Sequence, residues 1–95
     1  MIISFKGQLA SDLYLGRMSA VTRRFPAELY GIALRKLQYL NSATRLGDLR
    51  VPPGNRLEAL RGDLSGFCSI RINRQWRIVF RWDDGAKDVQ IIDYH

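Results

Sequence analysis

The sequence predicts an α+β domain in which N-terminal helices pack on one face of an antiparallel β-sheet. Three observations carry that expectation. The segment PAELYGIALRKLQYLNSA places apolar residues at helical spacing. Beyond residue 56, apolar residues recur instead at every second position. The last alternating segments are joined by NRQ and DDGAK, connectors short enough to require antiparallel neighbours. With 95 residues, 46% of them hydrophobic, a single domain over residues 1–95 with one core is expected.

Each element has its own justification. IISFK reads as a short strand, and SDLYLG as a short helix or turn with Ser11 or Asp12 as its N-cap. GRMSAVTRRF follows neither period and reads as a loop. In the long helix, Pro26 suits the first turn, Glu28 lies near the positive end of the dipole, and Arg35 and Lys36 lie toward the other end. Leu29, Ala33, Leu37 and Leu40 form the stripe expected to face the core. Gly31 costs about 1 kcal/mol relative to Ala within a helix, which implies a neighbour packed close against it. TRLGDL adds a short helical turn, and VPPGN breaks regular structure. Strands are expected in RLEAL, FCSIRI, WRIVFRW and DVQIID, with RGDLSG as a turn that includes the tripeptide at residues 61–63.

Alternation assigns the faces. Cys68, Ile70 and Ile72 point one way, and Trp76, Ile78, Phe80 and Trp82 share that apolar side. Ser69, Arg71, Arg77, Val79 and Arg81 then emerge together on the uncovered side. Val89 and Ile91 join the core and their parity continues through Asp93 and His95, whereas Tyr94 follows Gln90 and Ile92.

Composition narrows the function. One Cys excludes a disulfide within the chain, and Cys68 reads as a packed strand residue, in keeping with a reducing cytoplasm. No apolar run is long enough to span a bilayer and the N-terminus lacks a signal-type apolar region, so a soluble cytoplasmic protein is expected. The formal net charge is +6, and residues 50–81 hold seven arginines, no lysine and two carboxylates. Arginine presents a planar fork that grips phosphate through two N–H groups and stacks on bases, so a polyanion is the expected partner. One His, one Cys and scattered carboxylates show no metal-ligand spacing, and no cofactor motif is present. Arg, His, Tyr and Asp near one sheet edge suit RNA cleavage by the substrate's own 2′-hydroxyl. That reaction needs a base, an acid and a cation beside the phosphorane. Composition and spacing alone support a basic nucleic-acid-binding domain at least as well.

Taken together, MIISFK, VPPGNRLEALRGDLSG, INRQWRIVF and IIDYH resemble the HigB branch of the RelE-type toxins of bacterial toxin–antitoxin systems. The likeness spans nearly the whole length and is most specific over residues 50–95. It implies a RelE-like, microbial-RNase-like fold. It also implies an endoribonuclease, an mRNA interferase that enters the ribosomal A site, cuts mRNA without metal or cofactor, and so arrests translation and growth. The implied partners are the ribosome, mRNA and a helix-turn-helix antitoxin of the HigA type, through which alone operator DNA is contacted. No membrane is involved.

By position, Arg77 matches the family's phosphate-stabilising arginine, and Asp93, Tyr94 and His95 match its catalytic stretch. Arg61 matches a basic residue before the glycine turn, and with Arg56, Arg71, Arg74 and Arg81 is expected to bind RNA or the ribosome. Glu58 stands where some members carry histidine. A carboxylate and an imidazole differ in reference pKa, about 4.3 against about 6.5, so either Glu58 is itself the base or His95 carries more of the proton traffic. The alternative is a non-catalytic RNA- or antitoxin-binding domain that uses the same arginines.

Overall fold

A computed structural model of the chain describes residues 1–94; the expectations for His95 lie outside the described residues. Helices α1 (Gln8–Leu15), α2 (Ala20–Arg24) and α3 (Tyr30–Ser42) precede four strands, β1 (Glu58–Ala59), β2 (Cys68–Arg71), β3 (Trp76–Trp82) and β4 (Ala86–Asp93). The strands form one antiparallel sheet in sequence order. Ala10 and Leu13 of α1 and Ala33, Leu37 and Leu40 of α3 meet Ile70, Ile78, Phe80, Val89 and Ile91 of the sheet in one core. Leu37, Leu40, Ile78 and Phe80 are wholly buried, and each such side chain contributes about 1.5–3 kcal/mol of transfer free energy. The helices therefore cover one sheet face, as the alternation requires.

Several local expectations are corrected. IISFK is not a continuous strand: Ile2 and Phe5 form isolated parallel bridges to Ala86 and Val89. The reason lies in β4, where the register with β3 shifts between Val79 and Arg81 and Asp88 adopts a left-handed φ of 52°. Its N–H donates to Ser4 Oγ at 2.9 Å instead of extending the ladder. Close approach of the N-terminal segment also explains Gly85, at φ 154°, where an added Cβ would lie 2.6 Å from Ile3 Cδ1.

Helix α1 begins at Gln8 behind Gly7, so Ser11 and Asp12 lie inside it and cap nothing. Leu9, Ala10 and Leu13 supply an apolar stripe that starts earlier than the capping residues suggested, and its packing prevails. GRMSAVTRRF contains helix α2. Ser19 and Thr22 cap it reciprocally, with Thr22 N–H donating to Ser19 Oγ at 3.3 Å and Ser19 N–H to Thr22 Oγ1 at 2.8 Å. Five residues are too few to show a period, but the S-x-x-T cap was present in the sequence. Phe25, just beyond α2, is buried against Trp76 and Tyr30, with ring centroids 5.0 and 5.9 Å away. The close neighbour expected at Gly31 is absent, since an added Cβ there meets nothing within 4 Å. Gly31 instead lines an open apolar cleft of about 290 Å³ with Leu13, Met18, Tyr30 and Leu34.

The VPPGN segment folds around Asn55. Its side chain is fully buried; Nδ2 donates to Leu49 O at 3.1 Å and Val51 O at 3.4 Å, and Oδ1 accepts from Lys36 Nζ at 2.5 Å. A 3₁₀ turn over Pro53–Asn55 and a left-handed Arg56, at φ 47°, then deliver the chain to β1. One buried amide thus ties α3 to the loop that places Glu58. Among the described residues, no helix is long and apolar enough to cross a membrane.

Asn55→Ala leaves two carbonyls and an ammonium without their partner, so urea denaturation is expected to show a loss of about 1–3 kcal/mol. Gly31→Ala, free of any clash, is expected to stabilise by a few tenths to about 1 kcal/mol in the same assay. Burial pushes the Cys68 thiol above its ordinary range. The thiolate therefore forms only at higher pH, and iodoacetamide labelling of the native chain at pH 8 is expected to be slower than in urea.

Candidate active site

Antiparallel pairing lines up side chains across the sheet. Glu58 faces Ser69, Ser69 faces Val79 and Val79 faces Gln90, which forms one row. Arg71, Arg77 and Ile92 form another. Residues paired across a sheet point to the same side, so both rows occupy the face opposite the helices. This face is less open than alternation alone implied. Ser69 and Val79 are fully buried on it, and the Arg77 side chain is only 15% exposed.

Arg77 is the hub. Its Nη1 donates to Ser69 Oγ at 3.2 Å and pairs with Glu58 Oε1 at 2.5 Å. The Tyr94 ring covers the guanidinium, with Cζ 5.1 Å from the centroid, within cation–π range. Three strands and the residue following β4 therefore fix one cation. A guanidinium held in this way needs little reorganisation to meet an oxyanion. Glu58, about half exposed, presents its carboxylate beside that cation. A carboxylate and a guanidinium are thus adjacent on this face.

The other expected site residues divide. Asp93 follows the opposite parity from Tyr94, pairs with Trp76 across the sheet and accepts from Gln75 Nε2 at 2.9 Å. It lies at the strand edge near the cluster and not on the Arg77 face. His95 lies outside the described residues. Arg81 shares the parity of Arg77 but is paired with Asp88, its Nε and Nη2 lying 2.8 and 2.7 Å from Oδ2. That carboxylate offsets its charge, while the side chain stays about half exposed. Arg56, Arg61 and Arg74 are exposed and Arg71 is partly so.

Two contributors went unassigned as site residues. Ser69 was already placed on the arginine side by alternation, but nothing in the sequence disclosed its bond to Arg77. Gln75, in the turn between β2 and β3, reaches Asp93 only through the folded sheet.

Comparison with known proteins identifies the family and the fold. A family model described as RelE-like toxin of type II toxin-antitoxin system HigB matches residues 2–95. Toxin HigB-1 of Vibrio cholerae is 45% identical over 73 residues, which are 77% of this chain and 77% of that protein. Endoribonuclease HigB of Proteus vulgaris is 33% identical over 94 residues, 99% of this chain and 96% of that one. The fold is shared with a YoeB-YefM complex from Staphylococcus aureus, at TM-score 0.61 and 18% identity, covering 100% of this chain and 98% of that one. It is also shared with the YoeB/ParE toxin from Agrobacterium tumefaciens, at TM-score 0.52 and 22% identity over the full length of both. With the family model matched over residues 2–95 and relatives 45% and 33% identical, the chain belongs to the HigB-like family of RelE-like toxins of type II toxin–antitoxin systems, whose partner is an antitoxin.

Proposed function

We propose that this toxin is a ribosome-dependent endoribonuclease that cuts mRNA in the ribosomal A site. The observation that carries the reading is the Arg77 guanidinium, pinned by Ser69 and Glu58 under Tyr94 on the sheet face away from the helices. The name of the Proteus vulgaris relative, Endoribonuclease HigB, supports the same chemistry.

In the proposed step the substrate's 2′-oxygen attacks the adjacent phosphorus, the O2′–P bond forms and the P–O5′ bond breaks. The products are a 2′,3′-cyclic phosphate and a free 5′-hydroxyl. Glu58 takes the 2′-hydroxyl proton, Arg77 holds the negative charge on the phosphorane oxygens, and His95 donates a proton to the departing 5′-oxygen. Tyr94 positions a nucleotide by stacking, and Asp93 orients the proton-transfer groups at the strand edge. The scheme asks for no metal ion. Arg56, Arg61, Arg71 and Arg74 hold phosphates of mRNA or ribosomal RNA, and Arg81 joins them when its pair with Asp88 opens. In the cytoplasm a HigA-type helix-turn-helix antitoxin neutralises the toxin and connects it to operator DNA.

The test is cleavage of a defined mRNA on programmed ribosomes, with new 5′ ends mapped by primer extension. Arg77→Ala is expected to slow cleavage at least about 100-fold, as loss of an oxyanion donor does, and Glu58→Gln by about 100-fold, as loss of a general base does. Ser69→Ala retains the cation but frees it, and should cost less than either. Intact mRNA on ribosomes that demonstrably bind the wild-type protein would leave a non-catalytic binding domain.

A further inference from the structure

The turn between β2 and β3 is built by a side chain. Asn73 Oδ1 accepts from the backbone N–H groups of Gln75 and Trp76 at 2.9 and 2.7 Å. Backbone donors at Ile72 and Asn73 reach Trp76 O at 3.0 and 3.3 Å. The turn is thus closed without any contribution from the Gln75 side chain.

Gln75 is spent elsewhere. Its carbonyl accepts the Tyr94 N–H at 2.6 Å, one residue beyond the last pair of the β3–β4 ladder, Trp76 with Asp93. Its Nε2 donates to Asp93 Oδ2 at 2.9 Å. A single turn residue therefore holds two consecutive residues of the proposed catalytic stretch, one by backbone and one by side chain. Strand ends past the last ladder bond fray. This second grip restrains the Asp93 carboxylate on one side of the strand while Tyr94 lies over Arg77 on the other.

We propose that Gln75 is a positioning residue that fixes the Asp93 carboxylate, and through it the proton-transfer geometry of the site. The inference rests on the function proposed above. A hydrogen bond to a carboxylate is directional and charge-assisted, and small displacements of groups near a reacting centre slow chemistry by factors of ten to a hundred. Binding to the ribosome, which engages the arginines, should be indifferent to it.

The experiment uses the full chain in single-turnover cleavage of mRNA on programmed ribosomes, with ribosome affinity and thermal unfolding measured for every variant. Gln75→Ala keeps the backbone bond to Tyr94 and removes only the side-chain grip. It is expected to lower the rate at saturating ribosomes about 10-fold while leaving ribosome affinity and melting temperature unchanged. Gln75→Glu should be slower still, because it sets a second carboxylate against Asp93. Gln75→Lys keeps a donor and should restore most of the rate. In an Asp93→Asn background, Gln75→Ala should add nothing further. Wild-type rates in Gln75→Ala and Gln75→Glu beside an impaired Asp93→Asn would overturn the positioning role and leave the proposed site standing. An equal loss on adding Gln75→Ala to Asp93→Asn would overturn it as well, by showing action through another route. Full activity in Asp93→Asn would remove Asp93 from the site and overturn the positioning role, while the cleavage itself would leave the endoribonuclease reading standing.

Discussion

The Arg77 side chain lies where it does because its neighbours on β3 cannot move. Ile78 and Phe80 are wholly buried under the helices, and the pleat sends each intervening residue to the other side. A one-residue slip would drive the guanidinium into an apolar core and expose two large hydrophobic side chains. The cost of burying an unpaired charge forbids that arrangement. Core packing on one face is thus what aims the cation on the other, and Ser69 and Glu58 only complete the aim.

The far side of the site depends on one irregularity. Ala86 and Val89 both face the core although they are three residues apart. The register shift opposite Val79 and Arg81, with Asp88 left-handed, absorbs the extra residue and inverts the alternation. Beyond it, Gln90, Ile92 and Tyr94 follow the arginine side. Had β4 continued regularly from Ala86, Tyr94 would have shared the core face and Arg77 would have lost its aromatic cover. The same irregularity turns Asp88 toward Arg81, so the two arginines of β3 take different carboxylate partners.

The short strand β1 needs a different kind of support. Two residues make too little ladder to hold Glu58 by themselves. Asn55 supplies the rest, since its buried amide links Lys36 of α3 to the carbonyls of Leu49 and Val51 just upstream. The helical layer therefore reaches the site twice, through the core beneath β3 and through the loop that carries β1.

Periodicity and residue type, read from the chain alone, determined the α+β class, the α3 stripe, the antiparallel pairing of the last three strands, the arginine-bearing face and the divided parity of Asp93 and Tyr94. These follow from local rules, because a pleat or a helix turn repeats whatever its surroundings. The family resemblance came separately, from the motifs at residues 1–6, 51–66, 72–80 and 91–95. Tertiary structure decided the start of α1, the broken N-terminal strand, the partners of Arg77 and Arg81, and the reach of Gln75 to Asp93. Each of those depends on which distant segments meet, and the energy that selects them is exchanged between residues up to 84 positions apart. No window along the chain contains that information.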